Sequence, residues 1–208
     1  MSYRIKEMFL TLQGEGAQTG RAAVFCRFSG CNLWSGRDDD RFDAACKFCD
    51  TDFVGTDGDG GGVFDLTETV ARVSALWGGR CGVPYVVCTG GEPLLQLDRA
   101  LIDAFHDAGF EVAVETNGTI SAPAGIDWIT VSPKAGTRVK QCSGHELKVV
   151  VPQEHDWTEL ESWEFIHRFV QPMDGNDRNA SRDAAVAHCL ERPVWRLSLQ
   201  THKLLGIP

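Results

Sequence analysis

The feature that most narrows the fold is a pairing that recurs along the chain, in which a short apolar run ends in a polar cluster. Runs at 84–88, 110–115, 128–131, 147–151, 169–171 and 195–200 have strand length. Helical stripes are interleaved with them. Leu66, Val70, Val73, Leu76 and Trp77 form one stripe, opened by the capping-box pair Asp65 and Glu68 and closed by Gly78-Gly79. Two more occupy 98–108 and 180–190. The segments YVVC and KVVV are apolar on both faces, as parallel strands covered by helices are. A complete eightfold barrel takes about 250 residues. A chain of 208 residues is therefore expected to form an α/β fold of the shortened, partial (β/α) barrel kind, as a single domain over 1–208.

The punctuation between these elements points to a site. Successive strands end in Thr89-Gly90-Gly91-Glu92-Pro93, Glu115-Thr116-Asn117-Gly118, Ser132-Pro133-Lys134, Gln171-Pro172-Met173-Asp174 and Gln200-Thr201-His202-Lys203. In parallel α/β folds the carboxyl ends of the strands share one rim, so these clusters are expected to converge on one mouth.

The formal charge of -9 argues against attraction to a phosphate backbone, so no nucleic-acid partner is expected. The first residues lack a signal-peptide pattern, and no apolar stretch is long enough to cross a membrane, so the expectation is a cytoplasmic protein. Thiols stay reduced in that compartment, which turns the eight cysteines towards metal or redox chemistry.

Cys31, Cys46 and Cys49 have the spacing C-x14-C-x2-C, and Cys26 adds a fourth thiol upstream. Spacing alone allows a closed four-thiolate zinc site or a four-iron four-sulfur (4Fe-4S) cluster on three thiolates with one open iron. Two features favour the open iron. Cys26 falls on the apolar face of an alternating strand over 22–29, beside Val24 and Phe28, where a thiol is an ordinary core residue. A three-cysteine zinc site would also need a histidine, and none precedes His106. The Asp- and Gly-rich stretch at 36–62 fits no calcium-loop register and reads as a solvated loop, part of an enlarged cluster loop at about 30–63.

Cys31, Cys46, Phe48 and Cys49, followed by Gly90-Gly91-Glu92-Pro93, resemble the radical S-adenosylmethionine (SAM) enzymes, with the first cysteine interval lengthened. The ordered set of Gln13-Gly14-Glu15-Gly16, Cys31-Asn32-Leu33-Trp34, Cys49-Asp50-Thr51, TGGEPLLQ from Thr89, ETNG from Glu115, Ser132-Pro133-Lys134, Gln171-Pro172-Met173 and QTHKLLGIP from Gln200 is similar to the 7-carboxy-7-deazaguanine synthase branch. This resemblance covers nearly the whole chain.

It implies a radical ring contraction of 6-carboxy-5,6,7,8-tetrahydropterin with loss of ammonia, on the route to deazapurines such as queuosine. It further implies a 4Fe-4S cluster, SAM, Mg2+, a homodimer and an external electron donor such as flavodoxin. Cys31, Cys46 and Cys49 would hold the cluster, and Thr51, with Asp50 as second choice, the Mg2+. SAM would lie against Phe48, Cys49, Asp50, Gly90, Gly91, Glu92, Ser132, Pro133, Lys134, Gln171, Pro172, Met173 and Asp174. The pterin would meet Leu12, Gln13, Gly14, Glu15, Arg27, Thr89 and Pro208. Taken singly, most of these residues have plain turn or loop explanations. The last strand is expected to deliver Gln200 to Lys203 to the mouth, with Leu204, Leu205 and Ile207 buried against the barrel so that the Pro208 carboxylate faces the substrate. Two other functions compete. One is an activase that installs a glycyl radical on a partner protein, and the other is a zinc-stapled binding module without catalysis.

Overall fold

The computed structural model describes residues 2–175 and 177–208. Its strands are β1 (Ser2–Leu12), β2 (Ala22–Phe28), β3 (Gly62–Asp65), β4 (Tyr85–Gly90), β5 (Glu111–Thr116), β6 (Trp128–Val131), β7 (Ser143–Val151), β8 (Glu164–Pro172) and β9 (Arg196–Leu197). The helices are α1 (Leu66–Trp77), α2 (Arg99–Asp107), α3 (Trp157–Ser162), α4 (Arg178–Glu191) and α5 (Thr201–Leu205). All nine strands join one sheet in the order β3-β1-β2-β4-β5-β6-β7-β8-β9. Pairing is antiparallel where β1 meets β2 and β3, and parallel from β2 to β9. The sheet does not close, so the expected partial barrel is the architecture found.

Helices cover the convex face. Between them and the sheet lie Ile5, Val24, Cys26, Phe28, Val86, Leu101, Ile102 and Phe105, all fully buried. A second cluster packs Leu147, Val149 and Val170 against Leu160, Ala185 and Trp195. Cys26 is thus a core residue, paired in register with the equally buried Cys88. On the concave face a smaller floor is made by Ala23, Tyr85, Val87 and Ala113, with Phe25 and Trp128 against it.

Two strands at the amino end gave no readable pattern. In β1 the register shifts between Ile5 and Glu7. A bulge reverses which face each later residue takes. Tyr3 and Ile5 therefore share the convex core with Met8 and Leu10, while Glu7, Phe9 and Thr11 face the concave side. Strand β3 has only four residues. The carboxyl end departs from expectation too: β9 stops after Leu197, and Gln200 to Lys203 are delivered by a turn and the short α5.

The Asp-rich stretch is a solvated loop, as its composition suggests, and two of its exposed carboxylates fasten it to β1. Lys6, only 7% exposed, pairs with Asp52 at 2.8 Å and Asp57 at 2.9 Å, and donates to the Val54 carbonyl at 2.9 Å. The glycines beside them let the loop lie against β1. A Cβ on Gly61 would come within 2.2 Å of the Lys6 carbonyl oxygen.

One side chain joins β1 to the start of α2. Asp98 Oδ1 caps the helix by accepting from the Leu101 N–H at 2.9 Å, and it also accepts from the buried Tyr3 hydroxyl at 2.9 Å. Asp98→Ala removes a cap and strands a buried hydroxyl, so it should cost about 2–4 kcal/mol in urea unfolding. Asp98→Asn keeps an acceptor oxygen and should cost less than half of that.

Candidate active site

Alternation along the parallel strands sorts the concave face into two layers. Residues Tyr85 and Val87 lead up β4 to Thr89, Ala113 leads up β5 to Glu115, Trp128 leads up β6 to Thr130, and Phe169 leads up β8 to Gln171. The lower members form an apolar floor. The upper members line a cavity of about 690 Å³ at the carboxyl ends of the strands. All five polar clusters singled out in the sequence reach it, through Thr89 to Gly91, Glu115 to Asn117, Ser132 with Lys134, Gln171 with Asp174, and Gln200 with His202 and Lys203.

On one wall stand Cys31, Cys46, Phe48, Cys49, Asp50 and Thr51. The Cys46 and Cys49 thiols lie close enough to share a proton, an interaction that lowers Cys49 and raises Cys46. Burial raises Cys31, outweighing the backbone N–H groups of Leu33 and Trp34. Among the described residues no three His, Cys, Asp or Glu side chains close tightly enough to hold one metal ion. The thiols instead stand around a space, and with Cys26 withdrawn into the core this donor set fits a cluster bound by three cysteines. Asp50 is committed to Lys203, whose ammonium bridges Asp50 and Asp174 at 2.8 and 2.9 Å. Thr51 stays on the cavity wall without that commitment.

Gly90 and Gly91 are needed first for packing. Gly90 has φ +144, and a Cβ there would lie 2.2 Å from the Phe28 carbonyl oxygen; one on Gly91 would lie 2.3 Å from that of Gly30 and 2.7 Å from Cys31 Cβ. Their backbone is also exposed to the cavity. Glu92 behaves differently from the other residues expected to touch SAM. It is 0% exposed, and its carboxylate accepts from the Leu94 N–H at 3.0 Å, the Thr116 hydroxyl at 2.8 Å and the Asn117 N–H at 2.8 Å. Its side chain braces loops and does not line the cavity. Lys134 donates to the Ser132 carbonyl at 2.8 Å and hydroxyl at 2.9 Å, and burial lowers its pKa. Pro133 is buried beneath them. Pro172 and Met173 line a small side recess with Phe48, Asp50, Gln171 and Asp174.

The cavity is lined further by Leu12, Gln13, Gly14, Glu15, Arg27, Thr89 and Pro208, the residues expected to meet the pterin. Gln13 donates to Glu115 at 2.9 Å. Glu15 is ion-paired with Lys148 and accepts from the Gln200 amide at 2.9 Å. Burial would raise the Glu15 carboxyl, but the Lys148 ammonium overrides it and holds the group at about 2. Arg27 is shared with Glu7, Nε to Oε1 at 2.7 Å. The Pro208 carbonyl oxygen accepts from the Thr11 hydroxyl at 2.8 Å. The tail does not dock as expected: Leu204 and Leu205 are 76% and 64% exposed, because the single turn of α5 directs His202 and Lys203 to the cavity and leaves the leucines outside.

Glu115 and His202 line the cavity as members of clusters expected at the mouth, though with no ligand assigned to them, and Lys148 lines it without having been named from sequence. A signal existed for Lys148. In GHELKVVV, Glu146 and Lys148 are charges two apart in an otherwise apolar strand, which puts both on one face. His202 packs so closely on the 13–16 turn that a Cβ on Gly14 would fall 2.1 Å from its Nδ1.

The chain is similar to known proteins over its whole length. Residues 43–152 match the Radical SAM superfamily, a segment that contains Cys46 and Cys49 and begins inside the lengthened interval after Cys31. Relatives named 7-carboxy-7-deazaguanine synthase are 62% identical over 210 residues in Caulobacter vibrioides and 60% identical over 210 residues in Bordetella pertussis, covering 100% of both chains in each case. The crystal structure of QueE from Escherichia coli superposes with a TM-score of 0.69 at 26% identity, covering 96% of this chain and 94% of that one. Identity at this level over the full length, with the cysteine triad on the wall of the cavity, makes this chain an enzyme of the 7-carboxy-7-deazaguanine synthase family within the radical SAM superfamily.

Proposed function

We propose that the chain converts 6-carboxy-5,6,7,8-tetrahydropterin to 7-carboxy-7-deazaguanine with loss of ammonia, using a 4Fe-4S cluster, SAM and Mg2+, on the route to queuosine. The observation that carries this reading is that the three cysteines and an acceptor-rich wall of Gln13, Glu15 and Glu115 open on the same cavity. When bound, the cluster and SAM supply a carbon-centred radical able to take hydrogen from C6 of the pterin. The protein's own part is to bind and orient. Carboxylates at Glu15 and Glu115 suit the ring N–H and amino donors of a pterin. Arg27, held in place by Glu7, can fork onto the substrate carboxylate. The Thr51 hydroxyl, together with that carboxylate, would supply the hard oxygen ligands that Mg2+ takes. Gly90, Gly91, Ser132, Lys134, Gln171 and Asp174 surround the space left for SAM, and Phe48 covers its recess.

The site's position at the bottom of a mouth favours a small molecule over a protein substrate, which disfavours the glycyl-radical activase. A homodimer is consistent with exposed Leu190, Leu204 and Leu205 near the β9 edge. An external one-electron donor such as flavodoxin and a cytoplasmic location complete the reading. Among the described residues no helix is long and apolar enough to cross a membrane.

The reading is tested by anaerobic reconstitution with iron and sulfide, then incubation with SAM, Mg2+, a reductant and the carboxytetrahydropterin. Formation of 7-carboxy-7-deazaguanine and ammonia is expected. A colourless protein with one zinc per chain and no turnover would sink it.

Single replacement of Cys31, Cys46 or Cys49 by Ala should abolish bound iron, measured chemically and by the visible spectrum. Cys26→Ala should keep the iron and lower stability by about 1–2 kcal/mol, the cost of a small core deletion. Thr51→Ala should retain iron and SAM binding while losing most of the stimulation of turnover by Mg2+. Undiminished stimulation would transfer the ligand role to Asp50.

A further inference from the structure

The pterin wall depends on a residue that the reaction itself does not call for. Lys148 extends from β7 to the concave side, with a side chain only 5% exposed. Its ammonium is ion-paired with Glu15 and lies 4.0 Å from Glu115 Oε2. These carboxylates come from the turn after β1 and from β5, and each has a neutral donor on its other oxygen, Gln200 on Glu15 and Gln13 on Glu115, both at 2.9 Å. We propose that Lys148 is a positioning residue for substrate recognition, holding Glu15 and Glu115 side by side as acceptor-only carboxylates for the N–H edge of a 2-aminopyrimidinone ring. The identity of the ring rests on the reaction proposed above.

The physical need is specific. A pyrimidinone edge with a ring N–H beside an amino group offers only donors, so its partner must offer only acceptors. A carboxyl group in a dry pocket tends to keep its proton and then presents a hydroxyl in place of an acceptor. Two adjacent carboxylates repel each other as well. One buried ammonium placed between them resolves both problems, and it does so before substrate arrives, so binding carries no cost of reorganising charge.

The remaining charged neighbours fit this arrangement. Glu146, two residues back on the same face of β7, is turned to the 16–18 turn, where it accepts from the Ala17 N–H at 2.9 Å. Burial pushes it up to about 7 against the pull of Lys148, which weakens its claim on the ammonium relative to Glu15 and Glu115. His202 faces Glu15 from α5, and Lys134 faces Lys148 from the loop after β6. Against its burial, the carboxylates of Glu115, Glu15 and, behind them, Glu146 hold Lys148 in its charged form.

Equilibrium binding of 6-carboxypterin to the reconstituted, SAM-loaded enzyme tests this without turnover, since the oxidised ring has no hydrogen to give up at C6. Lys148→Gln keeps a donor to Glu15 but no charge, and Lys148→Arg keeps the charge. Iron content and SAM binding, set by the cysteine-bearing wall, verify that each variant is assembled. The Gln variant should bind about 10- to 100-fold more weakly at about pH 6.5, the worth of a charge-assisted contact. Without the ammonium the folded-state pKa of Glu15 rises, so its carboxylate returns only as pH increases. The deficit should therefore shrink as the pH is raised towards about 7.5, where the ring N–H of the probe is still in place; Glu146, which also loses the pull of the ammonium in this variant, is turned to the 16–18 turn. The Arg variant should stay within about 3-fold of the parent at both values. Equal affinity in the Gln variant, or a deficit independent of pH, would overturn the role of Lys148 alone. A parent enzyme that binds SAM but no pterin would overturn the assigned substrate instead.

Discussion

The active-site rim hangs on a carboxylate that never meets solvent. Glu92 is fully enclosed, and burying an ionised group costs several kcal/mol per ion, of order, unless donors replace its water. Here they do. Its acceptors are filled by the backbone N–H of Leu94, the Thr116 hydroxyl and the backbone N–H of Asn117, while its own N–H donates to the Gly30 carbonyl at 2.9 Å. The loops after β4 and β5 and the start of the cysteine loop are thereby tied at one point. Asn117 extends the tie by donating to Asn32 at 3.0 Å, next to Cys31. Burial still raises the pKa of Glu92, which marks how much the surrounding donors have to offset.

The division of the concave face into a dry floor and a polar rim follows from parallel pairing. Strands that run the same way bring equivalent ends together, so Thr89, Glu115, Thr130, Lys148 and Gln171 meet at one level although they lie on five different strands. A strand period of two then leaves Tyr85, Val87, Ala113 and Trp128 below them. The bulge in β1 extends this rule to an antiparallel strand. By shifting register after Ile5 it keeps Tyr3 and Ile5 in the core while turning Glu7 towards the cavity, where it meets Arg27.

Much of this was legible in the sequence, for identifiable reasons. Helix α1 announced itself through Asp65, Glu68 and Gly78, and both halves of its capping box are present. The cysteine assignment could be reasoned because Cys26 alternates with Val24 and Phe28, a pattern that survives folding. β1 was not legible, since a bulge breaks the alternation by which strands are recognised. Strand β3 and helix α3 are too short to establish a period. Lys148 escaped notice, and Glu115 was placed at the mouth without a role, because their meaning lies in each other and in Glu15, and no local pattern joins residues from β7, β5 and the turn after β1. The tail was misjudged for a related reason. Apolar Leu204 and Leu205 suggested burial, but one turn of helix can present only one face, and His202 and Lys203 take it.

The two walls of the cavity are built from contacts of different range. The turn at 13–16 is fastened by Thr201, whose N–H and hydroxyl both donate to the Gly14 carbonyl at 2.9 Å, and by Ser198, which accepts from the Gly16 N–H at 3.0 Å. These partners lie 187 and 182 residues apart. Contacts of such separation form late in folding, after the chain between them has been organised. They also belong to the part of a structure that opens at least cost when few apolar side chains support it, as with the exposed α5. Heating should therefore loosen the rim unevenly: the turn that carries Glu15 is released with α5, while the tie that Glu92 makes beside Cys31 still holds.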